Sequence, residues 1–372
     1  MIYLDNAATT YPKPPGVLKA VVDCIERIGG NPGRGAHALS LLASEEVYNA
    51  RCAAAEFLGV NDPSNIVFIP NATFGLNLAI RCRVKRGDHI LLSDREHNAV
   101  LRPVVRLSDE GIADSSVVSA SDPIADIKKK ENRRTAVLVC NPVSNVTGDK
   151  LPLPEVAKYA KERGYFLILD GSQWIGHGTP DRNVVELADA IVVPGHKGLY
   201  GIQGSGFLYL KSAGGCAPFL CGGSGSMSAN PRMPDYLPDR YEAGTLSTPA
   251  IVSLAAGIRF VCEYGPDRLA RREDRLRRYA WDRLSEIKGI TLYGRKDNGS
   301  SVLSFREKDV LPEETARRLD RAGIAVRAGL HCAPLIHRTL GTFPFGTVRI
   351  GFGAFNTKND VDQLFSELSK SR

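Results

Sequence analysis

Short runs of β-branched and aliphatic residues alternate along this chain with longer amphipathic stretches. Seven of these runs are predicted as strands: Ile66–Ile69, His89–Leu92, Ser116–Val118, Ala136–Cys140, Phe166–Leu169, Ala190–Val193 and Gly206–Leu210. Amphipathic stretches such as Leu39–Leu58 and Leu153–Arg163 are predicted as helices between them. Strands that alternate with helices favour a mainly parallel sheet with helices on both faces. We therefore expect an α/β fold whose ligands bind beyond the carboxyl ends of the strands.

The pattern changes near residue 213. Residues Gly214–Pro238 are rich in Gly, Ser, Pro and Met without periodicity, which predicts a long loop. Further helices and two strands are predicted after it: helices near Pro249–Tyr264, Asp267–Ile287, Pro312–Ala322 and Lys358–Lys370, and strands at Ile290–Tyr293 and Ser301–Phe305. This second region predicts a smaller α/β domain, and 372 residues are enough for two cores.

Composition limits the classes of protein to which the chain can belong. Its 43% hydrophobic and 24% charged residues are typical of soluble globular proteins, and no apolar stretch approaches a membrane span. The net charge of 48 − 41 = +7 suits an anionic ligand, but no zinc finger or aromatic-interleaved basic stripe indicates nucleic-acid binding.

Residues 1–6 lack the features of a secretory signal, so a cytoplasmic location is expected. The eight cysteines contain no CxxC pair, and neither a zinc site nor a structural disulfide is expected.

Two strand ends carry residues that suit an anionic or cationic ligand. Pro70–Gly75 follows the first strand and opens a helix, where backbone N–H groups and the Thr73 hydroxyl suit a phosphate. An ordinary helix cap is the alternative. Asp170 closes a buried strand, and a buried carboxylate needs a cation or hydrogen-bond donors. A metal ligand, a structural cap and a counter-ion for a cofactor all remain open for Asp170.

Two further strand ends carry a lysine and a histidine. Lys197 follows a strand among glycines and next to His196, where desolvation would lower its pKa as Schiff-base chemistry requires. A solvent-facing lysine is the alternative. His97 is predicted either to cap a helix or to stack on a planar cofactor. Lys197, Asp170, His97 and Thr73 together provide what a phosphate-bearing pyridine aldehyde needs.

The smaller region contains one unusual cysteine. Cys332 lies between glycine- and proline-containing flanks, which predicts a loop, and His331 and Arg327 beside it would favour the nucleophilic thiolate. A buried, inert thiol is the alternative. Arg349 lies seventeen residues further on and could bind a substrate carboxylate through two hydrogen bonds. A surface ion pair is the alternative for this arginine.

The chain resembles the cysteine desulfurases and selenocysteine lyases of the class V aminotransferase family, which are fold type I enzymes that use pyridoxal 5′-phosphate. The resemblance extends over nearly the whole chain. The segments that carry it are Tyr3–Thr10, Asn31–His37, Asp170–Gln173, His196-Lys197, Glu242–Thr245, Arg327–Pro334 and Arg349–Asn356. The spacing from Cys332 to Arg349 resembles the branch with a short cysteine loop. The resemblance implies a large cofactor-binding domain over residues 16–251 and a small domain over residues 1–15 and 252–372.

The resemblance also implies a role for each site residue. Lys197 would bind the cofactor covalently and transfer protons, Asp170 would pair with the pyridine nitrogen, and His97 would stack on the ring. Gln173 would contact the phenolic oxygen. The phosphate would be bound by Ala72, Thr73, His196 and, from the second subunit of a homodimer, Thr245. Asn145 and Arg349 would bind the substrate, with Ala8 and His37 beside it.

The reaction implied is a desulfurase reaction. Cys332 would take sulfur from L-cysteine as a persulfide, L-alanine would be released, and a sulfur-acceptor protein would receive the sulfur for iron–sulfur clusters or thio-cofactors. No metal ion, membrane or nucleic acid is implied. A selenocysteine lyase, or a class V transaminase or β-lyase in which Cys332 has no catalytic role, is the alternative.

Overall fold

The computed structural model describes residues 1–33, 35–212 and 216–370. Their α-helices are α1 (Pro15–Asp23), α2 (Ala38–Leu58), α3 (Ala72–Arg83), α4 (Asn98–Asp109), α5 (Pro123–Lys130), α6 (Leu153–Arg163), α7 (Arg182–Leu187), α8 (Thr248–Tyr264), α9 (Pro266–Ser285), α10 (Pro312–Arg321), α11 (Pro334–Thr339) and α12 (Lys358–Lys370). Their strands are β1 (Ile2–Tyr3), β2 (Ile66–Phe68), β3 (Asp88–Ser93), β4 (Ala113–Val118), β5 (Thr135–Cys140), β6 (Phe166–Asp170), β7 (Ala190–Pro194), β8 (Gly206–Leu210), β9 (Ile290–Tyr293), β10 (Val302–Glu307), β11 (Ile324–Ala325), β12 (Arg327–Gly329) and β13 (Thr347–Gly351).

Seven strands form the larger sheet, in the order β2-β8-β7-β6-β5-β3-β4. Strands β4, β3, β5, β6 and β7 are parallel, while β8 runs antiparallel to both of its neighbours. The mainly parallel α/β sheet predicted from the sequence is therefore confirmed. Side chains alternate between its faces: Leu91 packs in a core with α2, α6 and α8, whereas Ile90 and Leu92 pack in a core with α3 and α4.

A smaller, antiparallel sheet has the order β12-β13-β10-β9. Helices α9, α10 and α12 cover it with a separate apolar core that includes Leu276, Leu319 and Leu364. Strand β1 pairs in parallel with β11, where Ile2 lies opposite Ile324. These contacts give the smaller sheet a core of its own, while the residue boundaries of the two domains stay a prediction.

The segment after β1 connects the smaller sheet to the carboxyl edge of the larger one. The Gly351 amide donates to the Leu4 carbonyl over 2.6 Å, and the Gln173 side chain donates to the Ala7 carbonyl over 2.8 Å. The Thr10 amide donates to the His196 carbonyl over 3.1 Å. Residues 4–10 therefore lie between the two sheets, beside the strand ends on which ligands were expected.

The expectation that the chain has no structural disulfide is wrong. Cys82 in the last turn of α3 is bonded to Cys216 beyond β8, with the two Cα atoms 4.6 Å apart. The cysteines are separated by 134 residues and meet because β8 lies next to β2 at the edge of the sheet. Spacing along the chain gave no sign of this pair. No helix of the described residues is long and apolar enough to cross a membrane.

Candidate active site

A cavity of about 320 Å³ lies where the carboxyl ends of the large-sheet strands face the smaller sheet. All predicted site residues except Thr245 and His37 line it: Ala8, Ala72, Thr73, His97, Asn145, Asp170, Gln173, His196, Lys197, Cys332 and Arg349. The fold therefore gathers residues at or after the ends of seven strands (β1, β2, β3, β5, β6, β7 and β12), together with Arg349 on β13, into one site. This is the location that parallel α/β sheets favour for ligands.

Lys197 follows β7 in a tight turn, in which the Tyr200 amide donates to the Lys197 carbonyl over 2.9 Å. Burial lowers the pKa of Lys197 to about 8, with a smaller contribution from Arg349, while Asp170 opposes the shift. An amine with this pKa is partly unprotonated at neutral pH and can act as a nucleophile. The solvent-facing alternative is therefore wrong, since the side chain lines the cavity.

Asp170 ends β6 and is 2% exposed. Its Oδ1 accepts a hydrogen bond from the Ser172 amide over 3.1 Å, so it also caps the short helix that follows. Gln173 donates through Nε2 to the Ala7 carbonyl, and its buried Oε1 has no partner among the described residues. The cap and the cavity-lining position are thus both observed for Asp170.

His97 and His196 are two of the histidines that line the cavity, and both are neutral near pH 7. Burial and the charge of Lys197 lower the pKa of His97 to about 4 and that of His196 to about 4. The Nδ1 atom of His97 accepts from the Ala99 amide over 3.0 Å, which places the proton of this ring on Nε2. His97 therefore caps α4 and lines the cavity, so the two predicted roles do not exclude one another. The buried Nδ1 of His196 has no partner among the described residues.

The start of α3 forms another wall. Asn71 caps this helix by accepting from the Phe74 amide over 2.9 Å, and Asn71, Ala72 and Thr73 line the cavity. Amides of a first helical turn and the helix dipole favour an anion. The local sequence forms this cap because an Asn side chain supplies the acceptor that the first turn needs.

Cys332 lies in a short loop between β12 and α11, as predicted, and its side chain is exposed toward the cavity. His331 and Cys332 both have positive φ, +47° and +55°. Two hydrogen-bond donors from outside the loop hold this strained turn in place. The Asn98 amide donates to the Cys332 carbonyl over 2.6 Å, and the Asn145 side chain donates to the His331 carbonyl over 2.9 Å.

His331 does not provide the positive charge that the sequence suggested. Burial, assisted by the nearby Arg349, lowers the pKa of His331 well below its ordinary value. Its Nε2 lies 3.1 Å from both the carbonyl and the hydroxyl oxygen of Thr347. His331 therefore anchors the cysteine loop to β13 as a neutral ring. The cations that interact with Cys332 are instead Arg327, Arg349 and Lys197.

Arg349 lies on β13 and is 3% exposed. Its Nη1 donates to the Asn145 carbonyl over 2.9 Å, and its Nη2 pairs with the Asp5 carboxylate over 3.2 Å. Its Nε and the Oδ1 of Asn145 are buried and have no partner among the described residues. The surface ion pair considered for Arg349 is therefore wrong. Asp5 was not recognised as part of the site because its partner lies 344 residues away.

Thr245 and His37 lie away from this cavity. Thr245 borders a different cavity beside Phe74, in the loop before α8. Its neighbour Glu242 is buried and forms a two-hydrogen-bond ion pair with Arg51, both N–O distances being 2.8 Å. His37 is exposed and caps α2, since its Nδ1 accepts from the Ser40 amide over 3.3 Å. Their predicted roles stay predictions.

The comparisons with known proteins agree with this geometry. Residues 2–364 match the family described as aminotransferase class-V. A probable cysteine desulfurase of Halalkalibacterium halodurans is 32% identical over 393 residues, with 100% of this chain and 93% of the relative covered. A cysteine desulfurase of Salmonella agona is 31% identical over 383 residues, with 100% and 93% covered.

Solved structures give the same result. The apo structure of the cysteine desulfurase from Thermococcus onnurineus NA1 superposes with a TM-score of 0.92 at 29% identity, covering 100% of this chain and 94% of that one. The Escherichia coli cysteine desulfurase CsdA in an S-sulfonic acid form gives a TM-score of 0.89 at 29% identity, covering 99% and 94%. Because the family match and the similarity in fold extend over nearly the whole length, the chain belongs to the aminotransferase class-V family and is an enzyme of the cysteine desulfurase type.

Proposed function

We propose that this enzyme is a pyridoxal 5′-phosphate-dependent cysteine desulfurase that converts L-cysteine to L-alanine and retains the sulfur on Cys332. One observation carries the proposal. An exposed thiol, Cys332, and a partly buried lysine with a lowered pKa, Lys197, line the same cavity. Relatives with the same fold are named cysteine desulfurases, which supports this choice of reaction.

The polar groups of the cavity fit the cofactor. Gln173 Oε1 and His196 Nδ1 are buried atoms of the cavity lining that have no hydrogen-bond partner in the part of the chain that the structure describes, and a capped helix start provides amides for a phosphate. The residues that would hold the cofactor are Lys197 by a covalent bond, Asp170 at the ring nitrogen, His97 on the ring face, Gln173 at the phenolic oxygen, and Ala72, Thr73 and His196 at the phosphate. When bound there, pyridoxal 5′-phosphate withdraws electrons from the substrate α-carbon.

Arg349 and Asn145 would bind the α-carboxylate of the substrate, with Ala8 beside it. Arg349 is buried and already fixed by the Asn145 carbonyl, and its Nε has no hydrogen-bond partner within residues 1–33, 35–212 and 216–370. A guanidinium in this state binds a carboxylate with little loss of side-chain freedom. The bound carboxylate would orient the thiol end of L-cysteine toward Cys332.

The sulfur-transfer step balances without an external oxidant. The Cys332 sulfur bonds to the substrate sulfur while the substrate Cβ–S bond breaks. The electron pair of the broken bond stays with carbon, which takes up a proton and becomes the methyl group of L-alanine. Lys197 lies in the cavity to transfer that proton, and its pKa of about 8 lets it accept and donate near neutral pH. Cys332 retains the transferred sulfur as a persulfide.

We also propose that the enzyme acts as a homodimer and that a sulfur-acceptor protein takes the sulfur in the cytoplasm. Apolar side chains are exposed on α1, on the helical turn Cys24–Ile28 that directly follows it, and at the start of α2. They are Leu18, Val22, Ile25, Leu39, Leu41 and Leu42. A second copy of the chain would cover such a surface. In this dimer Thr245 would reach the phosphate of the neighbouring subunit. The exposed Cys332 would present the persulfide to the acceptor.

Mass spectrometry of enzyme incubated with L-cysteine tests the proposal. We expect one additional sulfur atom on the Cys332 peptide and stoichiometric L-alanine. The Cys332→Ala variant keeps the cofactor absorbance but loses the persulfide and the reductant-dependent release of sulfide. Cys221→Ala removes a different exposed thiol and is the matched control. Sulfide release at the wild-type rate by Cys332→Ala, or amino transfer to an oxo acid in place of alanine formation, would contradict the proposal.

A further inference from the structure

Asp5 joins the two arginines of the cavity through one carboxylate. Its Oδ1 lies 3.2 Å from Nη2 of Arg349, and its Oδ2 lies 2.9 Å from Nη2 of Arg327. Nε of Arg327 donates to the same carboxylate over 3.0 Å. Both arginines line the cavity, whereas Asp5 does not. The acid therefore contacts the arginines from behind the surface that a ligand meets.

The backbone gives Asp5 a fixed position. Leu4 accepts from the Gly351 amide over 2.6 Å, and Asp5 forms a parallel bridge with Gly351, two residues after Arg349 on β13. The side chain of Asp5 is 12% exposed and that of Arg349 is 4% exposed, while that of Arg327 is 51% exposed. The carboxylate thus forms its ion pair with Arg349 in a nearly solvent-free place, where pairing has a large effect.

Arg349 depends on this contact for its charge balance. Burial lowers the pKa of the Arg349 guanidinium, the nearby Arg327 acts in the same direction, and Asp5 opposes both. No other carboxylate of the described residues forms an ion pair with Arg349. Without Asp5, two guanidinium groups would face one cavity with nothing between them, and the buried one would lose its partner.

We propose that Asp5 is a positioning residue for substrate binding. Its two oxygens hold Arg327 and Arg349 apart and, with the Asn145 carbonyl, orient the Arg349 guanidinium toward the α-carboxylate of an amino acid. This inference rests on the proposed function in that the ligand is an amino acid. It does not depend on whether the amino acid loses sulfur.

Calorimetric titration of cofactor-loaded enzyme with L-alanine tests the inference. We expect Asp5→Asn to raise the dissociation constant at least about tenfold, because a charge-assisted contact that orients Arg349 is lost. Asp5→Glu keeps the negative charge and moves it by one methylene. We expect its dissociation constant for L-alanine to lie above the wild-type value but to rise by less than about tenfold, which provides a second test if Asp5→Asn folds poorly. Asp114→Asn removes an acid from an exposed ion pair with Arg134 and is the matched control, with no change.

Steady-state kinetics with L-cysteine separates positioning from general damage. We expect Asp5→Asn to raise KM by a similar factor with kcat within about threefold of wild type, since binding is affected more than chemistry. Equal dissociation constants for wild type and Asp5→Asn, or a fall in kcat with KM unchanged, would overturn the inference and leave the proposed function intact. A wild-type enzyme that forms no alanine from L-cysteine would instead overturn the proposed function.

Discussion

The backbone amide of Asn98 donates a 2.6 Å hydrogen bond to the carbonyl oxygen of Cys332. Asn98 begins α4 directly after His97, which lines the cavity, so the cysteine loop is fixed to the same turn as that ring. The contact uses one of the free amides of a helix start. The Cys332 loop is thus held at the cavity by α4, a helix that packs on the larger sheet, although β12, from which the loop leaves, belongs to the smaller sheet.

Capture of an aldehyde by Lys197 should depend on pH in the neutral range. With a pKa of about 8 instead of the ordinary 10.5, roughly a tenth of the amine is neutral at pH 7, and the fraction rises until pH exceeds 8. We expect the rate at which cofactor-free enzyme is labelled by pyridoxal 5′-phosphate and borohydride to rise up to about pH 8 and then level. His97 and His196, with pKa values of about 4, stay neutral throughout this range.

Lys197→Arg is the control for that titration, because its guanidinium stays charged and should remain unlabelled at this position. Folding stability should follow the same pKa. The lowered pKa means that burying the charged amine costs stability at pH values below about 8, and this cost disappears as pH rises from there toward 10.5. Labelling that rises only above pH 10 would contradict the prediction.

Removing the His331 anchor should slow sulfur transfer without affecting the cofactor. His331→Ala deletes the contact with Thr347 that supports the two residues with positive φ. We expect the single-turnover rate of alanine formation to fall about tenfold, because the thiol is no longer oriented. Cofactor absorbance measures the intact part of the site and should not change. A wild-type turnover rate would show that the Asn98 and Asn145 contacts are sufficient.

Glu242→Gln should destabilise the fold strongly. The substitution keeps the shape of the side chain but leaves the buried Arg51 guanidinium without its counter-charge. A broken buried ion pair costs about 3–5 kcal/mol, whereas an exposed one costs about 0–1 kcal/mol. Urea unfolding at one fixed protein concentration measures the free energy of unfolding, with Asp114→Asn as the exposed control. Equal free energies for the two variants would contradict the prediction.

Gly257→Ala should disturb the turn that follows Lys197. A Cβ atom at Gly257 in α8 would lie 1.9 Å from the Leu199 carbonyl oxygen, so the helix and this turn would have to separate. We expect a loss of about 1–3 kcal/mol in stability and weaker cofactor binding. Gly16→Ala in α1 has open space around it and should instead add about 0.4–1 kcal/mol. Thermal unfolding and cofactor titration of both variants measure the difference.

The Cys82–Cys216 bond should be detectable by alkylation. Of eight cysteines, six are free, so non-reduced, denatured protein should take up six equivalents of N-ethylmaleimide and reduced protein eight. Cys82→Ser should leave Cys216 reactive and lower the thermal midpoint, because closing a loop of this length restrains the unfolded chain. Eight equivalents without reduction would contradict the disulfide.

Much of the larger sheet could be predicted from sequence because its strands are buried, aliphatic and separated by clear helical patterns. Gly206–Leu210 and Leu153–Arg163 were predicted with the observed bounds. Strands β12 and β13 were missed, since Arg327–Gly329 and Thr347–Gly351 are short and contain glycine and arginine. The helix expected after His97 is observed as α4, although its bounds were not predicted and it contains Pro103.

Site residues could be predicted from the sequence where a residue with one clear chemical role lies at the end of a strand or directly after it. Lys197 and Asp170 are such residues, and the cavity contains both. Contacts between residues far apart in the sequence could not be predicted, because they leave no pattern among the neighbouring residues. Asp5 gave no indication of Arg349, and Cys82 gave none of Cys216, because only the three-dimensional fold brings these partners together. The direction of the His331 pKa likewise follows from burial that sequence does not display.

The ion pair between Asp5 and Arg349 has a consequence for folding. Its two members are 344 positions apart, and all strands of the larger sheet lie between them in the sequence. Contacts between residues so far apart form only after a long loop has closed. The ion pair is therefore expected to form late, after the larger sheet has assembled.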